Sequence, residues 1–439
     1  MPEPAKKRVL ILGGGFGGLE AAQHLEKIFK ERDDVEITLI SKNNYLVFTS
    51  MLAEVVSGAI EAKHVVIPLR ECLKRAEFKE LSIDAIDLDK KTVSCSHPDT
   101  GEEFLYEYDY LVLALGSMTG YHGIPGAEDF AFPLKNLNNA MVLRNHVIDM
   151  FERAELETDP DTRRKLLTFV VAGGGYTGIE VAAELNDYVS ASKRFYRNVK
   201  AGEVKVVVID PGDRIMHEMS EGLAEYGLKL LQKRGMEFRL KTRIGEVSKD
   251  SVKTEDGSTV DTCTTIWAAG TAPQPVIASL PCADKRGRVE VNEYMEIAGY
   301  PGVWALGDCA VVPDPHTGAS YPPTAQNAER EGARAAGNVA ASINSKDGDK
   351  RPFVYRTMGM LAPLGHRSAV AEIRGVKFSG FFAWFLWRCI YLGKLPGWDR
   401  KIRVSIDWFL DIFLPRDIVQ LKMEMRQRQN QSQSTAGKS

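Results

Sequence analysis

No two cysteines in this 439-residue sequence are spaced to work as a pair. The six lie at positions 72, 95, 263, 282, 309 and 389, and none forms a C-x-x-C or C-x4-C spacing. That argues against a zinc ribbon, a thioredoxin-type centre and a redox-active disulfide of the glutathione-reductase kind. Cysteines so few and scattered do not staple the fold, and a reducing compartment is expected. Long apolar runs are missing too. No window reaches about 18 uncharged apolar residues, so no transmembrane helix is expected. Val9-Leu10-Ile11-Leu12, behind Lys6-Lys7-Arg8, is too short for a signal peptide. The net charge is only -3, which does not suit a wholesale nucleic-acid binder. No EF-hand loop is present and no metal site is expected. What remains is 44% hydrophobic and 26% charged, an ordinary globular mix that excludes disorder and collagen. The length suits roughly three average domains.

Two similar β-α-β units stand out. The first runs from Val9-Leu10-Ile11-Leu12 through Gly13-Gly14-Gly15-Phe16-Gly17-Gly18 into a helix over 19–29, then a strand over 36–40. The second has a strand over 166–172, Gly173-Gly174-Gly175-Tyr176-Thr177-Gly178, a helix over 179–188, and a strand over 204–209. Continuous apolar strands of this kind belong to a parallel sheet covered on both faces. The first glycines are 160 residues apart, so one domain type is used twice. Apolar strands ending in small residues at Ala114-Leu115-Gly116 and Ala268-Ala269-Gly270 mark chain crossings. A further strand, 302–306, ends at Gly307-Asp308. The expected fold class is α/β, with two Rossmann-like dinucleotide-binding domains, the second inserted in the first.

The glycines carry the chemistry. Gly13 and Gly173 allow a tight turn, Gly15 and Gly175 let a pyrophosphate approach the backbone, and Gly18 and Gly178 allow close helix–strand packing. The helix N-terminus then turns its positive end to the phosphates. Asp210 closes the second strand of the second unit, 37 residues after Gly173, where a carboxylate accepts ribose hydroxyls and repels a 2'-phosphate. It is also an ordinary turn aspartate before Pro211-Gly212. Ser41-Lys42 hold the equivalent place in the first unit, without a carboxylate. Asp308 could reach a ribityl chain, or simply close a turn.

The order GGGFGG, ALG, GGGYTGIE, WAAG and ALGD resembles the flavoproteins with two dinucleotide-binding domains. Ala325-Gln326-Asn327-Ala328 and the aromatic tail resemble, within them, type II NADH:quinone oxidoreductase. The resemblance runs from about Arg8 to Gln420. It implies non-covalent FAD in residues 1–118 and 271–350, NADH in 119–270, and a membrane-association region in 351–439 with a disordered tail from about 429. FAD would contact Gly13, Gly15, Phe16, Gly17, Gly18, Ser41, Lys42, Thr49, Ser50, Ile83, Ala114, Gly116, Asp308 and Ala325. NADH would contact Gly173, Gly175, Tyr176, Thr177, Gly178, Asp210 and Gly270. Glu180 matches a glutamate between nicotinamide and flavin; Gln326 and Lys377 match residues at the quinone edge. Arg330 stands where the family pattern AQxAxQ has its second Gln; a guanidinium donates but cannot accept, which implies, at this fourth catalytic position, a different quinone pose or a quinone carbonyl held by the charge. By position alone, Glu180 could serve the helix dipole, Gln326 could cap a helix, and Lys377 could face lipid phosphates.

The tail is the unusual part of the composition. Arg374 to Arg428 holds eleven Lys/Arg against five Asp/Glu, a local +6, leaving -9 elsewhere. Eleven aromatics crowd positions 378–413, and four of the six tryptophans, Trp384, Trp387, Trp398 and Trp408, lie there. Ile402, Ile406, Phe409, Leu410 and Phe413 share one helical face, and Arg403, Asp407 and Asp411 another. Such a C-terminal amphipathic helix lies in a membrane interface, where tryptophans concentrate and anionic lipid attracts the positive charge. A buried helix pair or a dimer interface is the alternative. The implied activity is peripheral, non-pumping NADH:quinone oxidoreduction at the cytoplasmic face of the cell membrane, in a respiratory electron-transport chain, by a homodimer. Sulfide:quinone oxidoreductase, and a soluble NADH-dependent flavin reductase or redox sensor, are the other readings.

Overall fold

The structure, a computed structural model, describes residues 6–200 and 202–421. The segment from about 429, expected to be disordered, lies outside the described residues. Strand β1 (Lys7–Leu12) leads through the first glycine turn into helix α1 (Phe16–Ile28) and strand β2 (Val35–Ser41). Val9, Leu10, Ile11 and Leu12 are all buried, as an apolar run covered on both faces requires. Helix α2 (Leu52–Ser57), β3 (Glu77–Glu80) and β4 (Tyr110–Leu113) follow. The second unit holds β5 (Ala131–Pro133), α3 (Leu137–Leu156), β6 (Thr168–Ala172), α4 (Tyr176–Ser192), β7 (Lys205–Ile209), β8 (Glu237–Arg239) and β9 (Thr264–Trp267). Then β10 (Val303–Ala305) and α5 (Ala325–Ile343) return to the first unit.

The two sheets repeat one plan: β10-β4-β1-β2-β3 in the first unit and β5-β9-β6-β7-β8 in the second, all parallel. In each, the strand before the glycine turn is central. Registers such as Val9↔Ile37 and Val170↔Val207 bring the carboxyl ends of neighbouring strands to one edge, where the turns lie. An antiparallel pair, Ser117–Thr119 with Thr271–Pro273, joins the chain's exit to its return. The Trp267 indole donates to the Gly120 carbonyl at 2.8 Å and fastens this crossing.

Local boundaries differ from expectation for physical reasons. The strand expected from 166 starts at Thr168, because Leu166 closes the helix Pro160–Leu166, which Asp159 caps through the Thr162 N–H. Helices expected at 19 and 179 start at Phe16 and Tyr176, since glycine at a turn lets the helix begin at once.

The C-terminal region opens with a three-stranded antiparallel sheet that was not anticipated: β11 (Gly359–Pro363), β12 (Ala369–Ile373) and β13 (Val376–Ser379). Helices α6 (Gly380–Lys394) and α7 (Trp398–Phe413) follow. The four tryptophans do not act alike. Trp387 and Trp408 are buried in a core formed by residues 48–65 together with the second unit, with ring centroids 5.9 Å apart, so they anchor the helices rather than sit in an interface; Trp398 is 80% exposed. Of the charged face expected on α7, Asp407 and Asp411 turn inward while Arg403 is exposed. Asp407 meets His64 at 2.5 Å and Asp411 meets Arg416 at 2.7 Å. Phe381, Phe382, Phe385, Ile402, Ile406, Phe409 and Phe413 point outward. Among the described residues, no helix is long and apolar enough to cross a membrane.

Candidate functional site

Both glycine turns are shaped to leave room. Gly15 and Gly175 occupy the caps of α1 and α4, and no side chain caps either helix. A Cβ on either glycine would meet nothing within 4 Å. A pyrophosphate can therefore approach the first-turn N–H groups of each helix. The other glycines are packing sites. Gly13 has φ +109° and its Cβ would lie 2.2 Å from the Ala114 carbonyl oxygen; Gly173 has φ +107° against Ala268. Gly18 and Gly178 would each place a Cβ 1.9 Å from the carbonyl oxygen of Gly13 or Gly173. Phe16, Gly17, Tyr176 and Thr177 form the first turns of the two helices.

Asp210, buried at the end of β7, braces its own turn. It accepts from the Gly174 N–H at 2.6 Å and the Gly212 N–H at 2.7 Å, and His217 Nε2 lies 3.2 Å away. A carboxylate has about four acceptor positions, so room for a ribose hydroxyl remains. Ser41 closes β2 against Gly14, while Lys42 is exposed. Gly270 sits against the His122 ring, whose Nε2 is 2.7 Å from the Ala269 carbonyl.

Asp308, in the turn after β10, accepts from the Ser117 hydroxyl at 2.6 Å. Lys135 Nζ bonds the same hydroxyl at 2.8 Å and lies 3.4 Å from the carboxylate. Neither Ser117 nor Lys135 was singled out from the sequence. The Gly307 N–H donates to Glu331 at 2.7 Å, and burial pushes that acid up to about 7. Gly116 turns the chain at φ +63°. Ala325 and Gln326 open α5, capped by Thr324. Arg330 donates to the Gln326 carbonyl at 2.9 Å and stacks 4.3 Å over Tyr355. Its guanidinium is engaged with this chain. Thr49 is exposed, and Ser50 bonds the Tyr391 hydroxyl. Ile83 is half-buried in a separate antiparallel sheet. Lys377 is exposed on β13, across from Glu372.

Glu180 heads a cluster of acids. Burial, then the charges of Glu54 and Glu184, hold its carboxyl well above the carboxylate range. Glu184 accepts from Ser57 at 2.8 Å and from Arg416 at 2.9 Å. Asp187, one turn further, is pushed up to about 7 by burial and by Glu184. Glu180, Glu184 and Asp187 lie at helical spacing on one face of α4, a signal the sequence held. Nothing in the sequence pointed to Glu54 or Arg416, and Asp411 was read only as part of the charged face of the C-terminal helix.

Fold and site define a class: an α/β protein with two dinucleotide sites, the second unit inserted in the first, and a separate C-terminal sheet and helix pair. The comparisons are consistent throughout. A family profile described as pyridine nucleotide-disulphide oxidoreductase matches residues 7–332, and one described as the NDH2 C-terminal domain matches 358–417. A type II NADH:quinone oxidoreductase of Mycobacterium tuberculosis is 31% identical over 419 residues, covering 92% of this chain and 88% of that protein. A probable NADH dehydrogenase of Dictyostelium discoideum is 30% identical over 418 residues, covering 94% and 91%. The solved structure of NDH2 from Plasmodium falciparum in complex with NADH has a TM-score of 0.87 at 20% identity, covering 94% of this chain and 100% of that one. The sulfide:quinone oxidoreductase of Aquifex aeolicus reaches 0.69 at 20% identity, covering 93% and 96%. This chain belongs to the type II NADH:quinone oxidoreductase family.

Proposed function

We propose that the protein oxidises NADH and reduces a membrane quinone by two electrons, without pumping protons, as a respiratory electron-transport enzyme. The observation that carries this is the pair of open turns at Gly15 and Gly175, two dinucleotide sites in one chain. FAD, held non-covalently, supplies the two-electron link between donor and acceptor. The first turn fits it: Gly15 leaves room for its phosphates, Gly13 and Gly18 let the turn pack closely enough to present the helix N-terminus, and Lys42 and Asp308 would reach its polar chain. Phe16, Gly17, Ser41, Thr49, Ser50, Ile83, Ala114, Gly116 and Ala325 complete that site in this reading.

NADH goes to the second turn, at Gly173, Gly175, Tyr176, Thr177, Gly178 and Gly270. Asp210, already anchored by two backbone N–H groups, presents its remaining acceptor position to a ribose hydroxyl and repels a 2'-phosphate. NADH is thereby favoured over NADPH. Glu180 holds a proton near the reacting groups, and Gln326 and Lys377 offer donors to a quinone oxygen. Arg330, engaged with the Gln326 carbonyl and Tyr355, acts by fixing the start of α5.

The outward aromatic faces of α6 and α7 dock on a single leaflet. All six cysteines are free, which fits the reducing, cytoplasmic side of the cell membrane. A homodimer belongs to the same reading, through the family resemblance. The sulfide-oxidising alternative needs a cysteine pair; buried Cys309 instead donates to the backbone carbonyls of Leu113 and Leu306. Purification in detergent, a flavin spectrum, and assays of NADH and NADPH with a short-chain quinone test the reading. Flotation with liposomes and light scattering test the membrane and the dimer. A colourless protein, or a flavoprotein without NADH-dependent quinone reduction, refutes it; sulfide-dependent reduction moves it to the alternative.

A further inference from the structure

Quinone reduction has a proton requirement. NADH gives up two electrons and one hydrogen as hydride, while a quinol holds two electrons and two protons. The balance NADH + quinone + H+ → NAD+ + quinol draws one proton from the medium in each turnover. A place to hold it lies behind Glu180. Glu54 on α2 is 4% exposed. Its Oε1 accepts from the Trp408 indole at 3.0 Å, and its Oε2 is buried without a hydrogen-bond partner among the described residues. An ionised carboxylate with an undonated buried oxygen is costly; the neutral acid is not.

The surrounding charges point the same way. Glu180, Glu184 and Asp187 face this space from α4, and Asp411 from α7. Against these acids and Glu54 stand three arginines: Arg388 on α6, Arg416 beyond α7, and Arg234 beside Asp187. Arg416 is already bonded to Glu184 and Asp411, and Arg388 stacks 3.9 Å over Trp384. Five acids, of which Glu54 and Glu184 are buried, cannot all ionise beside three cations.

We propose that Glu54 is a proton-holding positioning residue for quinone reduction, resupplying Glu180 across the α2–α4 contact and aimed by Trp408 of the outward-facing helix. This rests on the quinone-reductase reading above. Burial, then the Glu184 charge, pushes the Glu54 carboxyl up to about 8, with Arg388, Trp408 and Arg416 pulling the other way. Glu54 is itself the first charge that raises Glu180, after burial. Glu54 therefore carries a proton at neutral pH and gives it up as the pH rises through about 8.

The test uses the detergent-purified holoenzyme and Glu54→Gln, which keeps the side-chain shape and an acceptor for Trp408. Infrared spectra in water and heavy water should show the carbonyl stretch of a protonated buried acid. That band should fade as the pH rises through about 8 and be missing from Glu54→Gln. Quinone reduction by the wild type should fall over the same range; Glu54→Gln should be at least about tenfold slower at pH 7 and flat there. Ferricyanide takes up no proton, so the slowing should be seen with quinone and not with ferricyanide. Trp408→Phe removes a donor to the carboxylate and should move the wild-type alkaline limb upward, which a purely structural tryptophan would not do. Glu180 also carries a protonated-acid band, so the diagnostic part is the component that fades through about pH 8; survival of that component in Glu54→Gln, an unchanged pH profile, or an unmoved limb in Trp408→Phe overturns the proposal. If Glu54→Gln does not fold, a wild-type spectrum in which no protonated-acid component fades through about pH 8 overturns it. A wild type that reduces ferricyanide but no quinone instead defeats the quinone-reductase reading.

Discussion

A methyl group added at either of two glycines in the second turn should weaken NADH binding, but only one of the two should loosen the fold appreciably. Gly175 has φ -71° and ψ -175°, extended backbone that any residue adopts, and its Cβ would meet nothing within 4 Å. Gly175→Ala should therefore fold, at a cap cost of at most about 1 kcal/mol. The methyl would stand where the pyrophosphate must approach. Losing one charge-assisted N–H bond to the phosphate costs about 1.5–3 kcal/mol. With a factor of ten for every 1.4 kcal/mol, KM for NADH should rise about 10–100-fold, with flavin content and the quinone KM unchanged. In Gly178→Ala the Cβ would lie 1.9 Å from the Gly173 carbonyl oxygen, so α4 must lift off β6. Overpacking of that kind costs about 1–3 kcal/mol and displaces the N–H groups too. Thermal melting should separate the two variants, and steady-state KM for NADH should show them both impaired. A Gly175→Ala enzyme that binds NADH like the wild type, or a Gly178→Ala enzyme that melts no earlier than Gly175→Ala, would refute this account of the turn.

Asp210→Asn keeps an acceptor oxygen but loses the charge, and should raise kcat/KM for NADPH relative to NADH by about tenfold or more; an unchanged ratio would remove Asp210 from the specificity site. Phe409→Glu, at a side chain 60% exposed, should abolish flotation with anionic liposomes while shifting Tm by no more than about 2 °C. Liposome binding that survives it would argue against the outward face as the docking surface. Glu331 is held at about 7, so the folded chain keeps a proton that the unfolded chain has lost above its ordinary carboxylate range. Folding then takes up a proton, and stability falls as the pH rises towards about 7 and flattens beyond it. Glu331→Gln should lose that slope in denaturant titrations at pH 5 and pH 8, and an equal slope in both proteins would place the acid's proton elsewhere.

The repeated glycine pattern made both parallel sheets legible, because a tight turn, an open approach and a close contact each demand glycine at a fixed offset. Asp308 could be singled out in the sequence, but its partners Ser117 and Lys135 could not, because both are unremarkable in sequence and meet it only across the domain crossing. Asp210 was read as a ribose ligand; its two bonds to its own turn could not be read, since they depend on how the loop after β7 folds back. The antiparallel sheet at 359–379 escaped notice because its strands are short and part-buried, without a clean alternation.

By itself the sequence determined the two nucleotide-binding turns, the order of the units and the presence of a basic, aromatic C-terminal region. These are local properties, set by backbone conformation, side-chain alternation and composition within a few residues. Only the tertiary structure decided which tryptophans of that region anchor and which face outward, since one helix carries both kinds and packing alone selects. It also decided that residues as distant as Glu54, Glu184, Trp408 and Arg416 share one buried space. The physical reason is that burial and charge balance belong to the neighbourhood, and a neighbourhood assembled from three parts of the chain exists only once it has folded.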